Sequence, residues 1–565
     1  MIDYPGRAHP FIADFLTVIG DYGYLFVALL LLAFVAVFSF EFFRNTKFDN
    51  RSRWFIYSVT LLIVWGRLPS LLLEEQNPDE SYWIVLGGQL AQGFQPYVNV
   101  DPGTGGVLVP GLLSAVNALG VPLNYTTARI ALIALCLVPS FFLLFYALMA
   151  RCGPLAARFA ILFAAAVFAF PDYHRDLIAY NSEFVALPVL SAILYLHSRF
   201  SSQNRYALVG IGFLSAMTIW IKLQSLPIVF AFGILVLFEP ATNTGLWNQL
   251  RKRIVLLVVG AIVFTVIPAV YFFLTPGAFH NYITSAFLGN LSYVQQGVSV
   301  AQPDSVVRWL KVLTTVWAPS FKPLNIAYYL LIAFITFGLL RAVLRRERPH
   351  NSLLASFFVF VLTYVACATP GNAFTHYLIF FLPAATLLCA ELFNYLKHPM
   401  RTRDLAQPLL AVAVALLSFN AVFSIRNHRL MGFQPLVPLK TQSTYSGLID
   451  HIRNNTDETD RVEIWGWAFH VYIQSNRLPN GLADCYRAAM PSPVQEHYLE
   501  LIRKGIESNP PPYIVDCVTS RAFILNDTLT QRITSYPMLK SVIDNDYELD
   551  TVLNERLVYK RRMGS

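Results

Sequence analysis

The chain has 565 residues, of which 55% are hydrophobic, 14% aromatic and only 13% charged, against roughly a quarter charged in soluble globular proteins. Apolar runs such as 23–40, 254–274 and 405–423 approach the roughly 20 residues that cross a bilayer, so the class is a polytopic α-helical membrane protein. The net charge of +8 does not point to nucleic acid, because Lys and Arg fall in short clusters between apolar runs and not on one basic face.

In chain order, the apolar runs predict about twelve membrane helices, near 24–42, 54–73, 125–148, 155–171, 177–197, 206–221, 225–238, 254–273, 324–343, 352–368, 376–396 and 406–424. Residues 1–21 lack the basic start of a cleavable signal peptide, so the first run reads as a retained anchor. Lys222 and Pro227 break the pair 206–221 and 225–238, which is either two short helices or a partly re-entrant segment. Lys and Arg concentrate in alternate loops, among them Arg44 to Arg53, Arg251-Lys252-Arg253 and Arg345 to Arg348, and such loops stay cytoplasmic. The segment Glu74 to Asn124 has no Lys or Arg but carries Glu74, Glu75, Asp79, Glu80 and Asp101, so it is assigned to the outer side. An even number of helices puts the tail there too.

Within this first outer loop (74–124), Tyr82, Trp83, Val85, Leu86 and Leu90 recur at helical spacing and predict a helix lying along the membrane surface; 107–119 predicts a second. The polar tail predicts a small extracytoplasmic α/β domain, with strands at 461–467, 513–518 and 556–559 and an amphipathic helix at 494–508. Two domains follow: a transmembrane one, 1–424, and an extracytoplasmic one, 425–565. The six cysteines show no CxxC or Cys/His spacing of a structural zinc site. Cys485 and Cys517 share the tail, where an oxidising compartment permits a disulfide; paired and unpaired thiols both stay open.

Asp79 and Glu80 are adjacent carboxylates just before a helix. They suit a helix N-terminus, where negative charge is favoured, and equally a general base, or a metal or substrate ligand, at the mouth of a cavity. A polar cluster, Asp172 to Asp176, precedes the fifth helix, which has Asn181 and Glu183 at its head. An acid at membrane depth points to function, against the plainer reading of a carboxylate snorkelling to the interface. Asp172 and Arg175 read as a surface pair. Lys222 either anchors at the interface or meets an anion such as phosphate. His376, beside Tyr377, opens the eleventh helix, where a structural histidine and a phosphate-binding one are both compatible. With no Walker loop or dinucleotide fingerprint in a strand-to-helix context, a nucleotide-driven mechanism is not expected.

Asp79-Glu80 with Tyr82, Gly93 to Tyr97, Thr126 to Arg129, Asn181 to Glu183, His376-Tyr377 and Ile464-Trp465-Gly466 follow one another along the chain. Their order resembles the polytopic glycosyltransferases of the GT-C fold, in particular the protein mannosyltransferases and the aminoarabinose and galacturonic acid lipid A transferases. The resemblance implies a multi-pass protein of the inner (plasma) membrane, in contact with membrane lipids, that takes a polyprenyl-phosphate-sugar donor and an acceptor hydroxyl at the outer face. It implies Asp79 as the base with Glu80 in support. Tyr82, Tyr97, Asp101, Glu183, Lys222, His376 and Tyr377 would bind substrate, with Glu183 lining the cavity and Lys222 and His376 the candidates for the donor phosphate. Many relatives carry Lys-Pro-Pro after the loop helix, where this chain has Asp101-Pro102-Gly103-Thr104-Gly105-Gly106, which implies either a different donor or a phosphate held by Lys222 or Arg129. A divalent metal between the carboxylates and the phosphate would serve the same end as a Lewis acid. The alternative function is a transporter or flippase of polyprenyl-linked sugars, against which stand the lack of an inverted repeat and the large outer loop and tail.

Overall fold

In the computed structural model the described residues are 10–40, 48–171, 175–200, 204–237, 246–294, single positions between 334 and 340, 350–368, 370, 374–397, 403–430, 445–482, 485–522 and 524–562. Helix α1 (Pro10–Ser39) starts earlier than its apolar run and bends at Gly20; α2 (Phe48–Arg67) runs into a 3-10 turn, Leu68–Leu72. Helices follow at Tyr125–Cys152, Pro154–Phe168, Ser182–Arg199, Arg205–Ile221, Leu226–Leu237, Leu246–Leu274, Asn351–Ala368, Phe381–Lys397 and Arg403–Leu430. Among the described residues, six helices are long and apolar enough to cross a membrane by length and composition. The expected helix at 324–343 lies outside the described residues apart from isolated positions, as do Asp172 and the basic run 345–348. The broken pair resolves into two short helices joined at Lys222, whose backbone is extended (φ −159°, ψ 119°).

Pro154–Phe168 and Phe381–Lys397 form the centre of the helical body, with Phe159 packed on Phe393 at 5.1 Å and the span His376–Leu396 wholly buried. Leu246–Leu274 is the opposite case. It exposes Ile254, Val258, Ile262, Val266 and Phe273 along its length, an apolar surface that hydrocarbon solvates and water does not.

The first loop holds α3 (Pro78–Ala91) and α4 (Leu108–Ala118). Neither the spacing nor the aromatic content of α3 reveals its actual environment. Instead of lying on a membrane surface, it is buried on all faces from Glu80 through Gln89, held between the helical body and the tail. Tyr82 and Trp83 each bury roughly 150–250 Å² there, on the order of 4–6 kcal/mol apiece before ordering entropy is subtracted.

The tail forms a five-stranded sheet in the order β2-β1-β3-β5-β4. The strands are β1 (Arg461–Trp465), β2 (Leu478–Pro479), β3 (Tyr513–Asp516), β4 (Tyr547–Leu553) and β5 (Arg556–Arg561). β2, β1 and β3 run parallel, and β5 joins β3 antiparallel, as does β4 to β5. Gln495–Ser508 is the expected amphipathic helix, burying Tyr498, Leu499, Ile502 and Ile506 against the sheet's second core. Cys485 and Cys517 are both buried and are not joined in a disulfide. Gly466 lies against both: its N–H donates to Cys485 Sγ at 3.0 Å, while a Cβ at that residue, whose φ is +128°, would come within 2.9 Å of Cys517 Cβ.

The tail docks on the first loop. Gln89 Nε2 donates to the Gly481 carbonyl at 2.7 Å, and Tyr82 packs on Trp467 and Phe469 at 5.6 and 4.9 Å. Loop and tail therefore lie on one side of the helical body.

Candidate active site

The turn before α3 is built by Asn77 and Pro78. Asn77 is extended and its side chain accepts from the Asp79 N–H at 2.8 Å, while Pro78 supplies the fixed φ that a first helical position favours. The cap is thus Asn77. Asp79 and Glu80 occupy the first turn, where the helix dipole favours negative charge.

These two acids have different surroundings. Glu80 is fully buried and takes a two-pronged pair from Arg129, Nε to Oε1 at 2.9 Å and Nη2 to Oε2 at 2.5 Å, plus the Tyr180 N–H at 3.0 Å. Arg129 also donates to the carbonyls of Ser70, Leu73 and Glu74 at 2.7, 2.5 and 2.8 Å. A guanidinium has five N–H donors, and here all five are taken. Arg129 therefore has no donor for a phosphate, and the pair clamps the Ser70–Glu74 turn under α3. Burial pushes the Glu80 carboxyl up while Arg129 pulls it down.

Asp79 is the opposite. It is largely buried, and among the described residues no hydrogen bond reaches its carboxylate. Burial raises its pKa, with His376 and Lys222 opposing that rise and Asp176 and Glu183 adding to it. A carboxylate raised in this way and left unpartnered is a better proton acceptor than an ordinary one.

Two cationic side chains lie within electrostatic reach of Asp79. Lys222 Nζ pairs with Glu183 Oε1, donates to Ser182 Oγ at 3.2 Å, and lies 4.9 Å from the Tyr377 ring centroid. His376 places Nε2 3.8 Å from Glu183 Oε1 and Nδ1 3.4 Å from Asp176 Oδ2. Glu183, 1% exposed, is matched by a cation instead of snorkelling. The extended backbone at Lys222 delivers its ammonium here, because a continued helix would send the side chain elsewhere.

Asp101, Tyr82 and Tyr97 belong to a different assembly. Asp101 accepts from Tyr498 OH, from Ser285 Oγ at 2.5 Å and from the Gly103 N–H at 2.9 Å, with Arg487 Nη1 at 3.8 Å. Tyr82 OH donates to the Asp101 carbonyl at 2.5 Å. Tyr97 is buried at φ +58°, its carbonyl accepting from Asn281 Nδ2 at 2.7 Å and its ring 5.1 Å from that of Tyr282. These residues tie the first loop to the tail and to the 275–294 segment. The glycines that follow Asp101-Pro102 explain the local route of the chain. Gly106 N–H donates to the Ile221 carbonyl at 2.7 Å, and a Cβ there would come within 1.5 Å of the Trp220 carbonyl oxygen. The loop thus lies directly on the backbone that presents Lys222.

Among the described residues, no three His, Cys, Asp or Glu side chains converge to hold a metal ion. Glu80 and Glu183 already face Arg129 and Lys222, so of the three acids Asp79 is the one open to a divalent ion. Asp176, Asn77, Arg487 and Tyr498 join the network without having been singled out. Asn-Pro ahead of a helical run is a legible cap signal, whereas nothing local ties Arg487 or Tyr498 to a carboxylate in the first loop.

A helical membrane body with its first loop enclosed by a small α/β tail is the architecture of the GT-C fold. Among solved structures, ArnT from Cupriavidus metallidurans bound to undecaprenyl phosphate matches with a TM-score of 0.53 at 13% identity, over 90% of this chain and 98% of that one. The same ArnT in the apo state gives 0.51 at 13% identity, over 89% and 96%. The apo oligosaccharyltransferase of Archaeoglobus fulgidus gives 0.43 at 12% identity, over 90% and 75%, below the level from which a shared fold is argued. At such identities the likeness is one of fold. No family model and no curated protein sequence matches the chain.

Proposed function

We propose that this chain is a membrane glycosyltransferase that moves a sugar from a polyprenyl-phosphate donor to an acceptor hydroxyl at the outer face of the membrane. The observation that carries the reading is the Asp79 carboxylate, reached by no hydrogen bond among the described residues, within electrostatic reach of Lys222 and His376. The fold shared with ArnT, crystallised with undecaprenyl phosphate, supports the choice of a lipid phosphate. The membrane portion, 1–424, would hold the chemistry and the extracytoplasmic tail, 425–565, would cover it.

In this reading Asp79 takes the acceptor's proton as the acceptor oxygen bonds to the anomeric carbon. The bond from that carbon to the phosphate oxygen breaks, its electron pair staying on the phosphate. Lys222 has three N–H donors, and Ser182 and Glu183 engage two of them, leaving one for a phosphate oxygen. His376 stands beside it. Cations fixed where charge develops stabilise the leaving group without reorganising. Glu80 supports Asp79 by fixing the start of α3.

The test is release of polyprenyl phosphate from a panel of polyprenyl-phosphate sugars by the purified full chain, compared with Asp79→Asn. Loss of a general base lowers turnover by about 10²–10⁴-fold. Turnover that survives the substitution would refute the assignment of Asp79.

A further inference from the structure

We propose that Asp176 is a positioning residue for this site, a single carboxylate that fixes the ring of His376 with one oxygen and the Asp79 turn with the other. The inference rests on the reading of Asp79 as base and of Lys222 with His376 as the phosphate-binding end.

Asp176 lies on the one-turn helix Arg175–Ile178, between the helices Pro154–Phe168 and Ser182–Arg199. Its Oδ2 faces His376 Nδ1 at 3.4 Å, and its Oδ1 accepts from Asn77 Nδ2 at 2.7 Å. The other end of the Asn77 side chain accepts from the Asp79 N–H at 2.8 Å. The Asp176 carbonyl accepts from Asn181 Nδ2 at 2.8 Å, one residue ahead of Ser182 and Glu183. Three segments far apart in sequence, 77–79, 181–183 and 376, therefore meet on polar atoms of one residue.

His376 needs such a partner. Phe374 stacks on its ring at 5.3 Å and 12°, and Tyr377 meets the ring edge-on at 4.8 Å. Those contacts fix the ring plane but not which nitrogen points to Glu183 and the space beside Lys222. A carboxylate within ion-pair distance of Nδ1, though short of a formed hydrogen bond, makes that choice by charge, favouring the proton on the nearer nitrogen and leaving Nε2 toward Glu183. The charged or titratable groups around the imidazole are Asp176, Glu183, Lys222 and Tyr377, with Asp79 within electrostatic reach.

Undecaprenyl phosphate is the probe, bound to the full chain in lipid nanodiscs over about pH 5.5–9, a window that spans histidine titration. Wild-type affinity should fall with rising pH as His376 loses its charge, and His376→Gln should remove that step. Asp176→Asn should move the half-loss point down by roughly one pH unit, about tenfold weaker binding in between, because a carboxylate no longer favours the charged ring. Asp176→Glu keeps the charge but displaces it, so the half-loss point should hold while affinity falls several-fold across the range. A purely structural role would lower the melting temperature without moving the half-loss point. An unmoved point in Asp176→Asn overturns this inference alone, as does a pH step that persists in His376→Gln. Should Asp176→Asn fail to fold, a wild-type affinity in Asp176→Glu overturns it instead. Wild-type chain that binds no undecaprenyl phosphate at any pH overturns the functional reading as well.

Discussion

Replacing Glu80 with Gln separates the two acids of the first loop. The structure gives Glu80 two contacts from Arg129 and one from the Tyr180 N–H, with both partners of the ion pair at most 1% exposed in their side chains. Glu80→Gln keeps one acceptor oxygen but turns an amide toward the guanidinium, leaving a buried cation without its counter-charge. Breaking a buried pair from one side costs about 3–5 kcal/mol. At about 2 °C per kcal/mol for a large cooperative unit, thermal unfolding in nanodiscs should drop by about 6–10 °C. Turnover of the protein that stays folded at low temperature should fall far less than in Asp79→Asn, because the Glu80 carboxylate is taken up by Arg129. A variant that melts within about 1 °C of wild type yet loses turnover as completely as Asp79→Asn would refute the clamp and make Glu80 chemical.

Three further outcomes follow from the same geometry. Gly106→Ala places a Cβ 1.5 Å from the Trp220 carbonyl oxygen, so the loop must move off the Lys222 backbone; undecaprenyl phosphate affinity should drop at least tenfold, and unchanged affinity would contradict the placement. Burial pushes the Glu463 carboxyl from 4.5 up to about 8, so the folded tail holds a proton there that the unfolded chain gives up. Stability should therefore decline as pH rises from about 4.5 to 8, by at most about 5 kcal/mol at about 1.36 kcal/mol per unit, and Glu463→Gln should flatten the decline in a melting series. Buried Glu75, raised to about 7, and Asp516, raised to about 6, act in the same direction. Arg487→Met removes the guanidinium between Asp101, Tyr498 and Ser285, so hydrogen exchange should quicken at 101–106 and 283–289 while β3 and β5 keep their protection; unaltered exchange would show that the tail is held elsewhere.

The membrane class, the positions of most of the described helices and the strands β1, β3 and β5 were legible because each is written in local periodicity: apolar runs long enough for a bilayer, or short β-rich runs bounded by turn residues. The place of Asp79 at the start of a loop helix was legible for the same reason, through Asn77-Pro78 and the acids after it. What each acid and cation touches was not. Glu80 meets Arg129 across 49 residues, Glu183 meets Lys222 across 39, and Asp101 meets Tyr498 across 397. No local pattern encodes such partners, because they are chosen by how helices and tail close on one another. The burial of α3 is the clearest instance. Its apolar spacing suits a membrane surface and a protein interior equally, and only the docking of the tail, through Trp467, Phe469 and Gly481, decided for the interior. Two neighbouring carboxylates that look alike in sequence were thereby given different environments, one neutralised by a guanidinium and the other reached by no hydrogen bond among the described residues.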